Sequence, residues 1–120
     1  MATINTMVKL DTASSVAGVL SLDFTNSKQY TVSDVTGDDL SLSAETIIVA
    51  TDYAVTAYVY MTNTSAAAQV KLFDVLVGTE WGVIEPGEWG FFAVPAGKGL
   101  KITPSTGTIT VNYVVMKKSA

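Results

Sequence analysis

The acidic residues are the only plausible catalytic or metal-binding groups in this sequence. The 120 residues include seven lysines and eleven Asp and Glu residues, but no histidine, cysteine or arginine. This composition excludes a thiolate nucleophile, a Ser–His relay, a thiolate or imidazole zinc site and a disulfide framework. The carboxylates that could act together fall in two short groups. These are Asp34, Asp38 and Asp39, and then Glu80, Glu85 and Glu88.

Neither carboxylate group has the arrangement that catalysis or metal binding needs. A hydrolase with two carboxylates holds its acid and base roughly 5–9 Å apart in a cleft. Glu85 and Glu88 instead flank a Pro-Gly turn, where carboxylates usually serve as solvated surface groups. Residues 34–39 lack the spacing and the distal Glu of an EF-hand calcium loop. We therefore expect no enzyme, no catalytic residue, no bound metal and no cofactor.

The charge balance argues against two classes of partner. The net charge is −4, whereas nucleic-acid binding needs a basic surface and usually arginine. The longest apolar runs, such as residues 47–50, are far too short to span a membrane. The first residues show no basic segment followed by an apolar one, so no signal peptide is predicted. We expect no nucleic acid, no membrane, and assembly in the cytoplasm of the producing cell.

Alternation of apolar and polar residues predicts an all-β protein. Residues 16–24, 54–62 and 107–116 each place apolar side chains at every second position, as a strand with one core face does. Breakers such as residues 36–39 separate these and the other candidate strands. The other candidates are 3–10, 29–33, 45–51, 69–76, 79–84, 88–94 and 98–103. About 8–10 short strands at this spacing predict one antiparallel β-sandwich or barrel over residues 1–120.

The segment 80–94 has apolar side chains on both faces. Pro86 and Gly87 favour a type II turn, because proline sets φ at the first central position and glycine allows positive φ at the second. Paired as a hairpin, Trp81 would face Phe92 and Ile84 would face Trp89. A type II turn suits a tight hairpin poorly, so a corner between two sheets is the alternative. Either loops of this chain or a neighbouring subunit would cover the second face.

Two tyrosines lie on the more polar face of the strand at 54–62. Tyr58 and Tyr60 are predicted either to pack against aromatic residues of a neighbouring strand or, with a nearby tryptophan, to stack against a sugar ring. The second possibility makes a carbohydrate-binding module the alternative function.

The order of segments over residues 57–116 resembles that of small jelly-roll-like proteins of tailed bacteriophages. The resemblance rests on the strand at 57–61, the Gly-Val-Ile-Glu-Pro-Gly-Glu corner at 82–88, the run Phe-Phe-Ala-Val-Pro-Ala-Gly at 91–97 and the closing strand at 111–115. These proteins are capsid decoration or cement proteins and related virion components.

The resemblance implies a structural virion protein that binds the outer surface of an icosahedral shell, commonly as a homotrimer. Its partner would be the major capsid protein of the same virus, and a tail or fibre component is a further alternative. Residues 2–10 are predicted to form an N-terminal arm. The residues expected at interfaces are Ile4, Tyr58, Tyr60, Trp81, Trp89, Phe91 and Phe92.

Overall fold

A computed structural model describes residues 2–11 and 23–119 of the chain, and all of the regular structure in these residues is strand. Nine strands run through this part of the chain. They are β1 (Ala2–Asp11), β2 (Asp23–Leu42), β3 (Thr46–Val49), β4 (Ala57–Asn63), β5 (Val70–Phe73), β6 (Glu80–Ile84), β7 (Trp89–Val94), β8 (Leu100–Pro104) and β9 (Ile109–Lys118). The predicted strand at 16–24 lies outside the described residues up to position 22.

The strands form two antiparallel sheets. One sheet has the order β1-β2-β9-β4-β7 and the other has the order β3-β8-β5-β6. Strands β2 to β9 are thus divided between the sheets in the interleaved order of an eight-stranded jelly roll, and β1 extends the first sheet at the edge beside β2. The prediction of an all-β, jelly-roll-like antiparallel sandwich is confirmed.

The hydrophobic core lies between the two sheets. In β4, Val59 and Met61 are fully buried, whereas Tyr58 and Tyr60 alternate with them on the other face. Leu100 and Ile102 of β8 are buried from the opposite sheet. Burial of each such side chain contributes about 1.5–3 kcal/mol to the free energy of folding. The alternation predicted at 54–62 therefore supplies the buried residues that hold β4 in the sandwich.

The prediction that residues 36–39 separate two strands is wrong, because they lie within the 20-residue strand β2. Gly37 pairs with Val114 of β9. A Cβ atom at Gly37 would approach the carbonyl oxygen of Tyr113 to 2.7 Å. The glycine therefore permits a close approach of two strands, and the sequence does not distinguish that role from a turn.

The Pro-Gly segment is a corner between the sheets. β6 pairs with β5 and β7 pairs with β4, so the hairpin pairing of Trp81 with Phe92 is wrong and the alternative corner is confirmed. The amide of Glu88 donates to the carbonyl of Glu85 at 3.0 Å, and Gly87 has φ of 76°, as a type II turn requires.

Candidate aromatic binding site

The site begins with a bend in β2. The pairing register shifts between Ser33 and Val35, and Asp34 between them has φ of 49°, in the left-handed region. Such a bulge bends a strand and increases its twist. Residues 23–32 pair with β1, whereas residues 32–42 pair with β9. We call the two-stranded part formed by residues 2–11 and 23–31 the arm.

The arm lies over the outer face of its own sheet. The ring centroid of Tyr30 is 4.6 Å from that of Tyr58 and 5.6 Å from that of Phe91. Tyr58 and Phe91, on adjacent strands β4 and β7, are stacked at 6.1 Å with an angle of 8° between their planes. Met116 of β9 is 4% exposed yet lies outside the core between the sheets. The arm therefore buries part of a face that would otherwise be in water.

Between the arm and the sheet is a cavity of about 800 Å³ that is open to solvent, which we call the aromatic groove. From the arm it is lined by Ile4, Asn5, Thr6, Met7, Ser27, Lys28 and Tyr30. The sheet contributes Tyr60, Trp89, Phe91, Val114 and Met116. Its walls are mostly apolar, with polar groups at the arm, as is common in ligand and protein-binding sites.

Two aromatic side chains in the groove are accessible from outside. Tyr60 is 39% exposed and Trp89 is 53% exposed. Their ring centroids are 6.1 Å apart with the planes tilted by 35°. Thr62 donates its hydroxyl to the Tyr60 hydroxyl oxygen at 2.9 Å, which restrains the tyrosine. Exposed, restrained aromatic rings of this kind favour binding, because they offer area at little entropic cost.

One cation faces the groove. The Nζ atom of Lys28 lies 5.3 Å from the ring centroid of Tyr30, in cation–π geometry. Among the described residues that line the groove, Lys28 is the only one with a charged side chain. The groove therefore offers one positive charge and no described carboxylate, which suits recognition of an apolar group with a nearby negative charge.

A buried asparagine positions the start of β7 and hence Trp89. The Asn63 side-chain amide donates to the carbonyls of Ala68 at 2.8 Å and Ile84 at 3.0 Å, and its oxygen accepts from the amide of Ser65 at 2.9 Å. The Asn63 backbone amide donates to the carbonyl of Glu88 at 2.9 Å. All these groups are thereby satisfied inside the protein, as buried polar groups must be.

Three of the carboxylates singled out in the sequence contact neighbouring groups of the protein. Asp34 pairs with Lys117 at 3.6 Å, the Asp38 carboxylate accepts from the amide of Asp39 at 2.8 Å, and Glu85 accepts from the side chain of Gln69 at 2.6 Å. No group of three or more acidic side chains in residues 2–11 and 23–119 is placed to hold a metal ion. Among the described residues that line the groove there is no acidic side chain.

A second exposed apolar feature lies on the other sheet, in the loop between β5 and β6. We call residues 74–79 the tip. Leu76 is 63% exposed and Val77 is 71% exposed. The buried carboxylate of Asp74 accepts hydrogen bonds from the amides of Val77 at 2.6 Å and Gly78 at 2.8 Å. The bond from Val77 is the main cause that lowers the pKa of Asp74, against the raising effect of burial.

The structure brings four of the seven predicted interface residues into the aromatic groove: Ile4, Tyr60, Trp89 and Phe91. Tyr58 lies beneath the arm beside them, packed as the cross-strand interpretation predicts. Phe92 is on the opposite side of β7 and packs against the core. Trp81 is on the other sheet, 40% exposed.

Sequence analysis missed Tyr30 and Lys28. Both belong to the arm, and their proximity to β4 and β7 depends on the bulge at Asp34. Alternation within residues 29–33 could have placed Tyr30 on one face of a strand, but no local pattern indicates which other strand that face meets.

Comparison with protein-family models, with curated proteins and with solved structures finds no match to this chain. In the described part of the chain there is no helix with the length and apolar character needed to cross a membrane.

Proposed function

We propose that this protein is a structural virion protein that decorates and stabilises a bacteriophage capsid by binding the outer surface of the shell. Its partner is the major capsid protein of the same virus. The observation that carries this proposal is the edge formed by β1, which within the described residues pairs on one side only, with β2. A strand with an unpaired edge can be extended by a strand of another protein.

The sequence of β1 leaves that edge open. Proteins that must avoid edge pairing usually protect long edge strands with proline, several lysines or a bulge. β1 has ten residues, no proline and one lysine, Lys9, and its register with β2 is regular throughout. Met7, in its middle, is 68% exposed. The edge is therefore suited to lasting contact with a partner.

Because a shell repeats the same binding site many times, a contact of modest affinity would be sufficient for stable attachment. A shell offers many identical sites, and linked copies bind with a higher effective concentration than a single one. The net charge of −4 favours solubility on a crowded particle. A jelly roll with structural carboxylates and no reactive cluster in its described residues suits such a role.

The test is co-sedimentation with capsids of the virus that encodes this chain, stripped of the protein. We expect saturable binding that falls at least tenfold in Thr3→Lys, because a lysine on an edge strand opposes pairing and the exposed Thr3 does not line the aromatic groove. The matched control is Ile47→Lys on β3, an edge strand of the other sheet where Ile47 is 56% exposed. Absence of binding, or equal losses in both variants, would contradict the proposal.

The exposed pair of Tyr60 and Trp89 favours a second candidate function, carbohydrate binding. Two tilted aromatic rings beside the Thr62 hydroxyl could stack against a sugar and bond its hydroxyl groups. A glycan array tests this directly. Binding of a defined glycan that is lost in Trp89→Ala and retained in Trp81→Ala would support it, and an array without signal would dismiss it.

A further inference from the structure

We propose that the aromatic groove and the open edge of β1 form one site for an extended peptide segment, in which an acidic side chain and a large apolar side chain stand two positions apart. The segment belongs to the partner protein, so this inference rests on the proposed function and names the chemistry of the part that is bound. The spacing of the two side chains follows from the register of the arm.

One face of the arm is directed at the groove. In the pairing of β1 with β2, Ile4 is opposite Tyr30 and Thr6 is opposite Lys28. Paired residues point to the same face of a sheet, and so do residues two positions apart on one strand. The ring of Tyr30 contacts Tyr58 on the sheet below. The side chains of these four arm residues therefore share the face that is turned towards the sheet, and all four line the groove.

The edge of β1 borders the groove, since residues 4–7 of this strand all line it. In the part of the chain that the structure describes, β2 is the only strand paired with β1. A strand added to the other edge would lie about 5 Å from β1, with every second side chain on the face that Ile4 and Thr6 share. Strand addition gains affinity from main-chain hydrogen bonds and specificity from sites for alternate side chains.

The position beside Thr6 favours an acidic residue. The backbone of the added strand would lie two strand spacings, about 10 Å, from the backbone of Lys28. Thr6 stands between them with a short side chain, whose hydroxyl donates to the carbonyl of Lys28 at 3.1 Å. A glutamate beside Thr6 and the exposed Lys28 can therefore reach each other across it. Because no acidic side chain is described along the groove, a carboxylate from the partner is the natural complement of this lysine.

The position beside Ile4 favours a large apolar residue. Ile4 is opposite Tyr30, whose ring also contacts Phe91, so the surroundings are apolar. The sheet side of the groove carries the exposed rings of Tyr60 and Trp89, and the volume of about 800 Å³ accommodates an aromatic side chain. Such a group would remove aromatic surface from water, and buried aromatic residues commonly carry much of the binding energy at interfaces.

The spacing of the two positions is set by β1. Ile4 and Thr6 are two residues apart, so the residues beside them on an added strand are two apart as well. The recognised segment is therefore apolar-x-acidic in one direction of the added strand and acidic-x-apolar in the other. This pattern distinguishes a peptide that uses both the edge and the groove from one that uses the edge alone.

The experiment is an array of short threonine peptides in which two positions, separated by one threonine, carry every pair of amino acids. Threonine favours extended structure without adding charge. We expect the labelled protein to bind most strongly where one position is aromatic or a large aliphatic residue and the other is Asp or Glu. Replacement of the acidic residue by lysine should weaken binding about tenfold, because like charges then face each other.

Variants of the protein assign the two positions. Lys28→Glu should exchange the preference for an acidic residue for a preference for lysine, whereas Lys98→Glu, at an exposed lysine that does not line the groove, is the matched control and should keep it. Trp89→Ala should reduce the preference for a large apolar residue. Thr3→Lys should weaken all peptides alike, since it opposes pairing at the edge. Circular dichroism checks that every variant is folded.

Two results would overturn this inference: an array without binding, or a preference for acidic residues that persists in Lys28→Glu. The array contains no capsid, so it is read independently of the proposed function. Binding on the array without binding to capsids would support the peptide site and contradict the capsid proposal. Capsid binding that is lost in Thr3→Lys but unchanged in both Lys28→Glu and Trp89→Ala would support the capsid proposal and overturn the peptide site.

Discussion

The ring of Tyr30 in the arm lies 4.6 Å from the ring of Tyr58 in β4, although β9 separates their strands in the sheet. The contact holds the arm against the sheet and thereby forms one wall of the aromatic groove. Among the described residues, the arm makes its aromatic contacts with the sandwich through this pair and through the tilted contact of Tyr30 with Phe91, so these two contacts hold its position.

Removing that ring should release the arm. For Tyr30→Ala we expect a loss of about 2 kcal/mol in the free energy of unfolding, from lost burial and aromatic contact. Hydrogen exchange should accelerate in residues 2–11 and 23–31 while β4 and β8 stay protected. Tyr30→Phe, which keeps the ring, should behave as the natural protein. Equal acceleration in both variants would contradict this role.

Asn63 should be among the polar residues on which stability depends most. In Asn63→Ala the buried carbonyls of Ala68 and Ile84 lose their donor, at a cost of about 1–3 kcal/mol for each unsatisfied group. Chemical denaturation would measure the change. The exposed residue Asn5 provides the control, since Asn5→Ala should alter stability by about 0.5 kcal/mol or less.

Asp74 should make stability depend on pH. Its pKa in the folded protein is lowered from 3.8, mainly by the hydrogen bond from the Val77 amide. The stabilisation is therefore complete well above pH 3.8 and is lost as pH falls through the lower pKa of the folded state. Thermal melts of Asp74→Asn should differ from those of the natural protein at neutral pH and converge with them in acid. The control is Asp52→Asn on an exposed loop, which should melt like the natural protein at neutral pH.

Gly37 and Gly90 should respond differently to the same change. In Gly37→Ala the new Cβ would lie 2.7 Å from the Tyr113 carbonyl oxygen, so β2 and β9 must separate. We expect a loss of about 1–3 kcal/mol, as in other overpacked sites. At Gly90 the nearest atom is Ile84 Cδ1 at 3.5 Å, an ordinary contact, so Gly90→Ala should be tolerated. Similar melting temperatures for the two variants would contradict this interpretation.

The sequence predicts the individual strands of the fold better than the tertiary contacts between them. Alternation at 54–62 and 107–116 identifies β4 and β9, because a half-buried strand imposes period two on its own residues. The Pro86-Gly87 corner follows from backbone preferences of two residues. These signals are local.

The aromatic groove was only partly predictable. Trp89 and Phe91 stood out because both faces of their segment are apolar. The bulge at Asp34 has no such signal, since aspartate and glycine at 34–39 are equally typical of a turn. The closeness of Tyr30 to Tyr58 depends on that bulge and on strand pairing between distant parts of the chain, which composition and periodicity do not encode.

Val32 is the one residue of β2 that pairs with both β1 and β9. Unfolding of the arm is therefore coupled to unfolding of the jelly roll only through this one residue and a few side-chain contacts. Regions linked so narrowly unfold as separate units of different stability. The arm should thus open and reclose many times during the lifetime of one folded sandwich. Because the arm forms one wall of the aromatic groove, access to the groove would change with each opening.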